Sequence, residues 1–245
     1  MRIAIISDVH GNLTALDAVL ADLRRQKPDL IFHGGDLPYG GCNPAEVIDC
    51  IAQEGWPGVL GNTDEILWSD AARPALEASA PRLKSLFRVL FDSAAPATRR
   101  IIGESRLEWL RRLPLELRHE NLVLLHAGPG NIWRAPMDTA EDAELETTYR
   151  PLNAGIVVYC HIHRPFVRRV GGMIVCNSGS VGMPYDGDPR SSYLLITGGE
   201  PAIRRVEYDV EKEVGRLLAS DYPFKEWLAD MRRRGSYIPP PEESG

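Results

Sequence analysis

Side chains of the types that bind metal ions follow the apolar runs of this chain, at the points where the runs end. In chain order these points are Asp8-Val9-His10, Gly35-Asp36, Gly61-Asn62-Thr63-Asp64, His126 and His161-Ile162-His163. Parallel strands joined by right-handed crossovers point the same way, so the loops that follow them gather at one edge of the sheet. The sequence therefore predicts that these separate segments converge on one site.

The first third of the chain alternates between strand and helix patterns, as a βαβ fold does. The predicted elements are a strand at 2–7, a helix at 13–23, a strand at 30–32, a helix at 44–52 and a strand at 59–60. Asn12 is the expected N-cap of the first helix. These elements deliver Asp36 beside Asp8 and His10, and then lead to Asn62.

The rest of the chain is less regular. Residues 65–113 are rich in Ala, Leu and Arg and predict a helical insertion, which begins beside Asn62 and should overhang the site. Short strand patterns without helices between them follow, and they predict an antiparallel or mixed second sheet. We expect one domain over residues 1–234 and a disordered tail over 235–245, which contains three successive prolines.

Composition excludes several classes of function. The net charge is −6 and the isoelectric point is about 5.6, which argues against a surface that coats nucleic acid or binds anionic membranes. No apolar stretch approaches the roughly 20 residues that span a bilayer, so a cytoplasmic location is expected. The four cysteines contain no CxxC pair and are expected to be free thiols. Charge implies no macromolecular partner, and the oligomeric state stays open.

The spacing of the polar residues favours metal binding. Asp8 and His10 lie two residues apart, as do His161 and His163, so each pair projects to one side if strand geometry persists. The Asp36 carboxylate has two oxygens and is suited to bridging two ions. Further predicted ligands are the Asn62 oxygen and the His126 ring. His33, inside the second strand, is expected to pack or to support a ligand, and His119 to be solvated.

This series of motifs resembles the metal-binding signature of the calcineurin-like metallophosphoesterase superfamily. The similarity runs from Arg2 to about Tyr208. The loop 35–40, the segment 177–182 and the turn 187–190 are similar to the small prokaryotic phosphodiesterase-like branch. The resemblance implies an α/β fold, specifically a four-layer α/β/β/α sandwich of two mixed sheets with a dinuclear metal site at one sheet edge.

The resemblance also implies roles for individual residues. One divalent ion would take Asp8, His10, Asp36 and His163, and the second would take Asp36, Asn62, His126 and His161. The ions would be Mn, Fe, Zn or similar, because the mixed oxygen and nitrogen donors do not choose among them. The implied reaction is cleavage of a P–O bond by in-line attack of a metal-bound hydroxide.

Further residues are assigned by position. The predicted catalytic residues are Asp36, Asn62 and Asp64, and the predicted substrate-binding residues are Asn62, Thr63 and Arg190. Arg134 is a further candidate for holding phosphate, and the segment 177–182 has two open interpretations, a phosphate-binding nest or a simple turn.

Two positions depart from the family pattern. Thr63 stands where the family usually has a histidine that stabilises the transition state or protonates the leaving group. Cys160 replaces a glycine before the final His-x-His motif, and period-two geometry directs its side chain away from the ions.

The sequence therefore predicts a metal-dependent phosphohydrolase, foremost a phosphodiesterase acting on a small, possibly nucleotide-like ester. The alternatives are a catalytically weak scaffold of the same fold that binds a protein partner, and a phosphomonoesterase or dinucleoside polyphosphatase. Complete retention of the ligand set favours an enzyme over a scaffold.

Overall fold

The structure, a computed structural model, describes residues 1–241. The strands are β1 (Arg2–Ile6), β2 (Leu30–His33), β3 (Glu116–His119), β4 (Leu122–Leu125), β5 (Ile156–Tyr159), β6 (Phe166–Val170), β7 (Met173–Asn177), β8 (Ser191–Thr197) and β9 (Glu200–Val206). The α-helices are α1 (Leu13–Gln26), α2 (Pro44–Glu54), α3 (Asn62–Glu65), α4 (Arg73–Ser79), α5 (Lys84–Arg88), α6 (Ala95–Arg111), α7 (Asp142–Tyr149), α8 (Val210–Ala219) and α9 (Lys225–Arg234).

These strands form two mixed sheets. The first has the order β2-β1-β8-β9, in which β1 pairs parallel with β2 and antiparallel with β8. The second has the order β3-β4-β5-β7-β6, with parallel pairing from β4 through β7 and antiparallel strands at both edges. The predicted mixed character of the sheets is confirmed.

Alternation along β1 shows how the layers form. Ile3 and Ile5 pack with the apolar side chains of the second sheet, whereas Ala4 and Ile6 pack on the other face with residues of α1. A strand directs successive side chains to opposite faces, so β1 contributes to two cores at once. The helix α7 covers the outer face of the second sheet in the same way. The predicted four-layer α/β/β/α sandwich is confirmed.

The start of α1 follows the sequence prediction, and the segment before α3 does not. The Asn12 side chain accepts a hydrogen bond from the Ala15 N–H at 2.9 Å and caps α1. The predicted strand at 59–60 is wrong, because only Gly58 forms an isolated bridge, to His33. Two backbone bonds join this segment to His33, from the Val59 N–H to the His33 carbonyl (3.0 Å) and from the His33 N–H to the Pro57 carbonyl (3.1 Å). They do not extend into a ladder because the chain turns into α3.

The insertion is helical but segmented. It contains α4, a 3₁₀ turn at Pro81–Leu83, α5, a π-helical turn at Val89–Ala94, and α6. Helix α4 ends at Ser79 because Pro81 has no N–H to continue the helical hydrogen bonds. Within residues 1–241 no helix is both long enough and apolar enough to cross a membrane.

The segment after α9 contacts the body of the protein. The Ile238 carbonyl accepts a hydrogen bond from the Trp227 indole at 2.8 Å, and the Tyr237 ring packs edge-on against Tyr185 at 5.7 Å. The expected disordered tail is therefore not observed over 235–241. Residues 242–245 lie outside the described residues.

Candidate metal centre

The predicted ligands meet at one end of the two sheets. Asp8 and His10 follow β1, Asp36 follows β2, His126 follows β4, and His161 and His163 follow β5, whereas Asn62 opens α3. The side chains of Asp8, His10, Asp36, Asn62, His126 and His163 are at most 5% exposed. The two sheets thus place at one edge residues that are far apart in the sequence, as the motif spacing predicted.

The backbone at these positions is unusual. Five of the seven predicted ligands adopt left-handed φ angles, namely Asp8 (54°), His10 (51°), Asp36 (55°), His161 (65°) and His163 (56°). Residues other than glycine rarely adopt this region, although Asp and His do so more often than most. Such conformations cluster at functional sites, where the surrounding structure holds them.

One group of four donors is especially compact. Ligating atoms of Asp8, His10, Asp36 and His163 all lie within 4.8 Å of one another. Neither oxygen of Asp8 has a hydrogen-bond partner among residues 1–241. His163 Nε2 lies 3.2 Å from Asp8 Oδ1. A buried carboxylate with this neighbour and no hydrogen bond is costly, so this group fits a cation.

The imidazole tautomers strengthen this conclusion. The Nδ1 atoms of His10 and His163 lie 2.8 Å and 2.6 Å from the carbonyls of Tyr39 and Met183. A carbonyl only accepts, so each Nδ1 donates, and in the neutral tautomer the Nε2 lone pair of each ring is directed into the centre. These two Nε2 atoms nevertheless lie only 3.3 Å apart. Two facing lone pairs repel each other unless a cation or a proton lies between them.

A second group adjoins the first through Asp36. His126 Nε2 lies 3.6 Å from Asp36 Oδ2 and 2.9 Å from Asn62 Oδ1. The Asn62 oxygen is also 2.8 Å from His161 Nδ1. The His126 Nδ1 donates to the Gly34 carbonyl at 2.7 Å, so its Nε2 faces the Asn62 oxygen as a second acceptor. This arrangement also suits a cation.

Burial and charge set the ionisation of these groups. Burial and the nearby His163 lower the pKa of His10 to about 4, and burial together with His126 lowers the pKa of His161 to about 4. Burial opposes ionisation of Asp8, but the adjacent His163 brings the pKa of its carboxyl below the usual range. Neutral imidazoles and an ionised carboxylate are the forms that bind metal ions.

Asp64 connects the loops that carry Asp36 and Asn62. Its carboxylate accepts backbone N–H bonds from Asp36 (2.9 Å), Leu37 (3.0 Å) and Gly61 (2.9 Å). Burial and the charge of Asp36 raise the pKa of this carboxyl. Asp64 does not line the cavity described below, so the structure places it as a positioning residue behind the site. A catalytic role for Asp64 stays a prediction.

The close approach of those loops requires small residues. A Cβ atom at Gly61 would collide with Asp36, and one at Gly35, whose φ is +86°, would collide with Gly61. Glycine at both positions lets the Asp36 and Asn62 loops touch, which explains the Gly35-Asp36 and Gly61-Asn62 pairs of the sequence.

Five of the seven candidate ligands lie at the floor of a cavity of about 360 Å³. This volume is within the range of small-molecule sites. His10, Asp36, Asn62, His161 and His163 line its floor. The wall comes from the insertion, from Trp133 and Arg134, and from the C-terminal part of the chain. The insertion therefore lies over the site, as predicted.

The predicted substrate-binding residues separate in the structure. Asn62 and Thr63 line the cavity, but Arg190 does not. The Arg190 guanidinium instead donates to the carboxylate of Asp188 at 2.6 Å, two residues earlier in the same turn. Arg134 does line the cavity. Arg134 thus replaces Arg190 as the cation near the site.

The segment 177–182 is hydrogen-bonded to its neighbours through several backbone and side-chain groups. The Gly179 N–H donates to the Asn177 side chain at 2.9 Å, and the Gly182 N–H donates to the Asp8 carbonyl at 3.1 Å. The Asn177 amide also donates to the Cys160 carbonyl at 2.6 Å. The segment therefore holds the strand ends together, which favours the interpretation as a turn.

The other histidines lie outside the centre. His33 is fully buried in β2 with its ring 5.9 Å from that of Trp109, and burial lowers its pKa to about 3. His119 ends β3 with its ring against Phe32 at 5.7 Å. The expected packing of His33 agrees with the structure, whereas His119 is half-buried and not solvated as expected.

Sequence reasoning missed residues from the C-terminal third. The Tyr185 ring stacks on His163 at 4.3 Å, and Tyr237 packs on Tyr185. The fully buried Arg232 of α9 donates to the carbonyls of His10 (3.2 Å) and Gly40 (2.8 Å) and so braces the loop after β1. The sequence signal for a contact with the site was the presence of two aromatic residues, Trp227 and Tyr237, in an otherwise polar C-terminal segment.

Two mixed sheets with a shared edge of Asp, Asn and His donors define a metallophosphoesterase type of architecture. The sequence model of the calcineurin-like phosphoesterase superfamily domain matches residues 1–199. The chain belongs to this superfamily, and the resemblance derived from its motifs is confirmed.

Similar proteins come from bacteria and archaea. An uncharacterized protein of Methanocaldococcus jannaschii is 29% identical over 253 residues, which cover 93% of this chain and 96% of that protein. The crystal structure of a metallophosphoesterase from Sphaerobacter thermophilus is 26% identical, with a TM-score of 0.78 over 96% of this chain and 100% of the other. A hypothetical protein from Pyrococcus horikoshii has the same fold, with a TM-score of 0.81, 19% identity, and coverage of 97% and 99%.

Proposed function

We propose that this protein is a metal-dependent phosphoester hydrolase that acts on phosphodiesters. The observation that carries the proposal is that the Nε2 atoms of His10 and His163 face each other at the floor of the cavity. His10 Nε2 and His163 Nε2 lie 3.3 Å apart beside an Asp8 carboxylate that no described residue hydrogen-bonds. Such a group is stable when a cation occupies it, and a cation there is accessible to a ligand in the cavity.

The donor set is suited to two divalent ions. Asp8, His10, Asp36 and His163 would hold one ion, and Asp36, Asn62, His126 and His161 would hold the other. Divalent ions of the Mn, Fe or Zn kind would supply Lewis acidity toward a phosphoryl oxygen and acidify water near neutral pH. Asp36 is the shared residue in this proposal.

The residues of the chain itself orient the site and bind substrate. Carbonyls of Tyr39, Gly34 and Met183 fix three imidazole rings with Nε2 directed inward. Such hydrogen bonds to the far nitrogen set ring orientation and raise ligand basicity. Arg134 lines the cavity and would neutralise a phosphate oxygen. The Thr63 hydroxyl, which no described residue hydrogen-bonds, would donate a hydrogen bond to substrate.

The charge of the cavity favours a diester over more highly charged esters. Among residues 1–241, Arg134 is the single lysine or arginine that lines the cavity. A diester carries one negative charge, whereas a monoester dianion or a polyphosphate carries more and is usually held by several cationic side chains. Monoesterase and dinucleoside polyphosphatase activities are therefore the less favoured alternatives.

The direct test measures metal content and hydrolysis together. Wild-type protein loaded with Mn²⁺ is expected to retain about two ions per chain and to hydrolyse bis(p-nitrophenyl) phosphate faster than p-nitrophenyl phosphate. Asp36→Asn should lose both ions and essentially all hydrolysis, because it removes a shared anionic ligand. Asp17→Asn, at an exposed position of α1, is the matched control and should retain both properties.

The same experiment separates the enzyme from a scaffold. Wild-type protein that retains no metal after Mn²⁺ loading would contradict the proposal and favour the partner-binding alternative. Retained metal without hydrolysis of any ester would also contradict it.

A further inference from the structure

The wall of the cavity above the ligands is almost entirely hydrocarbon. It is formed by Leu83, Leu86, Leu90, Trp133, Trp227 and Met231, together with neighbouring side chains of the same kind. Leu83, Leu86 and Leu90 follow one another at spacings of three and four, which puts them on one face of the insertion. This face is only partly buried and looks onto the site.

The two tryptophans of the wall, Trp133 and Trp227, have no free indole N–H to donate to a ligand, because both N–H groups are already bonded to other described residues. The Trp133 indole N–H is donated to the Glu65 carboxylate at 3.2 Å, and the Trp227 indole N–H is donated to the Ile238 carbonyl at 2.8 Å. Away from the candidate ligands, the polar side chains that line the wall are Ser79, Arg134 and the three tyrosines Tyr39, Tyr185 and Tyr237. A nucleobase is normally selected by several hydrogen bonds to its edge, and this wall offers little for that purpose.

The cavity is continuous with the candidate ligands. His10, Asp36 and Asn62 belong to the same lining as the leucines of the insertion. A phosphate bound at the ligands would therefore direct one of its ester substituents against the apolar wall.

We propose that this wall is a subsite for a large hydrocarbon substituent, so that the substrate class is a phosphodiester with an alkyl or other apolar ester group. The inference rests on the proposed function and narrows it, because a nucleoside or a polyphosphate would leave the apolar surface in contact with polar groups. Burial of the substituent supplies binding energy in proportion to the apolar area removed from water.

The test uses the Mn²⁺-loaded protein and four substrates with one common leaving group. They are the methyl, butyl and octyl p-nitrophenyl phosphodiesters and thymidine 5′-p-nitrophenyl phosphate. We expect kcat/KM to rise at least roughly tenfold from methyl to octyl, a gain that two fully buried methylene groups can supply. The thymidine ester should be slower than the octyl ester. A flat or falling series, or a faster thymidine ester, would overturn the inference and leave the phosphodiesterase proposal standing.

A matched pair of variants locates the effect in the insertion. Leu86→Asp introduces a charge into the wall and should lower the octyl-to-methyl ratio of kcat/KM. Ser85→Asp introduces the same charge at the adjacent exposed position outside the cavity and should preserve the ratio. Equal ratios in the two variants would place the substituent elsewhere.

A binding measurement keeps the inference testable if no ester is hydrolysed or if Leu86→Asp does not fold. Octylphosphonate and methylphosphonate are titrated into wild-type protein while tryptophan fluorescence is recorded, since Trp133 and Trp227 line the cavity. Octylphosphonate should bind at least roughly tenfold more tightly. Equal affinities would refute the subsite, whereas absence of hydrolysis alone would refute only the enzymatic proposal.

Discussion

At the scale of single residues, Thr63 bears on how the leaving group would be protonated in the proposed reaction. Its backbone N–H donates to Asp36 Oδ1 at 2.8 Å, so the residue belongs to the frame of the site. Its hydroxyl can donate a hydrogen bond to substrate, but it cannot act as the imidazolium that the superfamily usually places there. The nearby Asp64 carboxylate already accepts three backbone N–H groups and does not line the cavity.

We therefore expect hydrolysis to depend steeply on the leaving group. A positioned general acid contributes typically about 10²- to 10⁴-fold when the leaving oxygen must be protonated. Wild-type protein should cleave aryl diesters much faster than alkyl diesters, and Thr63→His should flatten the dependence of rate on leaving-group pKa. Rates across a series of substituted phenyl esters measure both slopes. If the rate of wild type depends only weakly on leaving-group pKa and Thr63→His does not change this dependence, threonine at this position does not limit catalysis.

At the scale of elements, α3 ties two ligand loops together. The Asp64 carboxylate at its third position binds N–H groups of the loop after β2 and of Gly61. The two candidate ligands Asp36 and Asn62 therefore keep their relative position through one buried side chain.

Asp64→Asn tests this tie. The variant replaces one acceptor oxygen with an amide that faces backbone N–H groups, and an unsatisfied buried group costs about 1–3 kcal/mol. We expect a loss of that size in the free energy of unfolding and a Mn²⁺ affinity lower by about 10- to 100-fold, as for residues that support metal ligands. Denaturant unfolding with EDTA and calorimetric Mn²⁺ titration give the two values. Asp70→Asn, an exposed position after α3, is the control, and a variant with wild-type metal affinity would contradict the tie.

Elements also show where sequence reasoning succeeds and where it fails. The ends of β1, β2, β4 and β5 were predictable because apolar runs stop at polar motifs, and strand direction then brings the motifs together. The segment 59–60 was not predictable, since a two-residue apolar run does not reveal whether a ladder continues. The roles of Tyr185 and Arg232 were hidden because they arise from tertiary contacts with His163 and with backbone carbonyls. Every residue has a backbone carbonyl, so the sequence does not show which carbonyl will accept a hydrogen bond from Arg232.

At the scale of the whole molecule, the buried His33 makes stability depend on pH. Its pKa is lowered to about 3 by burial, and neither ring nitrogen has a hydrogen-bond partner among residues 1–241. The folded protein therefore holds the ring neutral, whereas the unfolded chain takes up a proton below about pH 6.5. This contribution to stability is fully present above pH 6.5 and is lost as the pH falls toward 3.

The expected size of the effect follows from proton linkage. Between pH 6.5 and pH 5 the His33 ring alone should remove about 2 kcal/mol from the free energy of unfolding. His33→Leu should lose this part of the pH dependence, whatever its absolute stability. Urea unfolding of both proteins in EDTA across this range measures the difference in slope. Parallel pH profiles for the two proteins would mean that the folded state accommodates a charged His33.

The left-handed backbone at the candidate ligands has a consequence for the evolution of related chains. Asp, Asn, His and glycine tolerate positive φ better than other residues. The backbone geometry therefore limits the residue types at these positions even without selection for metal binding. In a related chain that does not bind metal, we expect the first substitutions at Asp8, His10 and His163 to be glycine or asparagine, since both residues relieve backbone strain. Aspartate and histidine retained at these positions in related chains would therefore indicate selection for metal binding, because glycine or asparagine would give a less strained backbone.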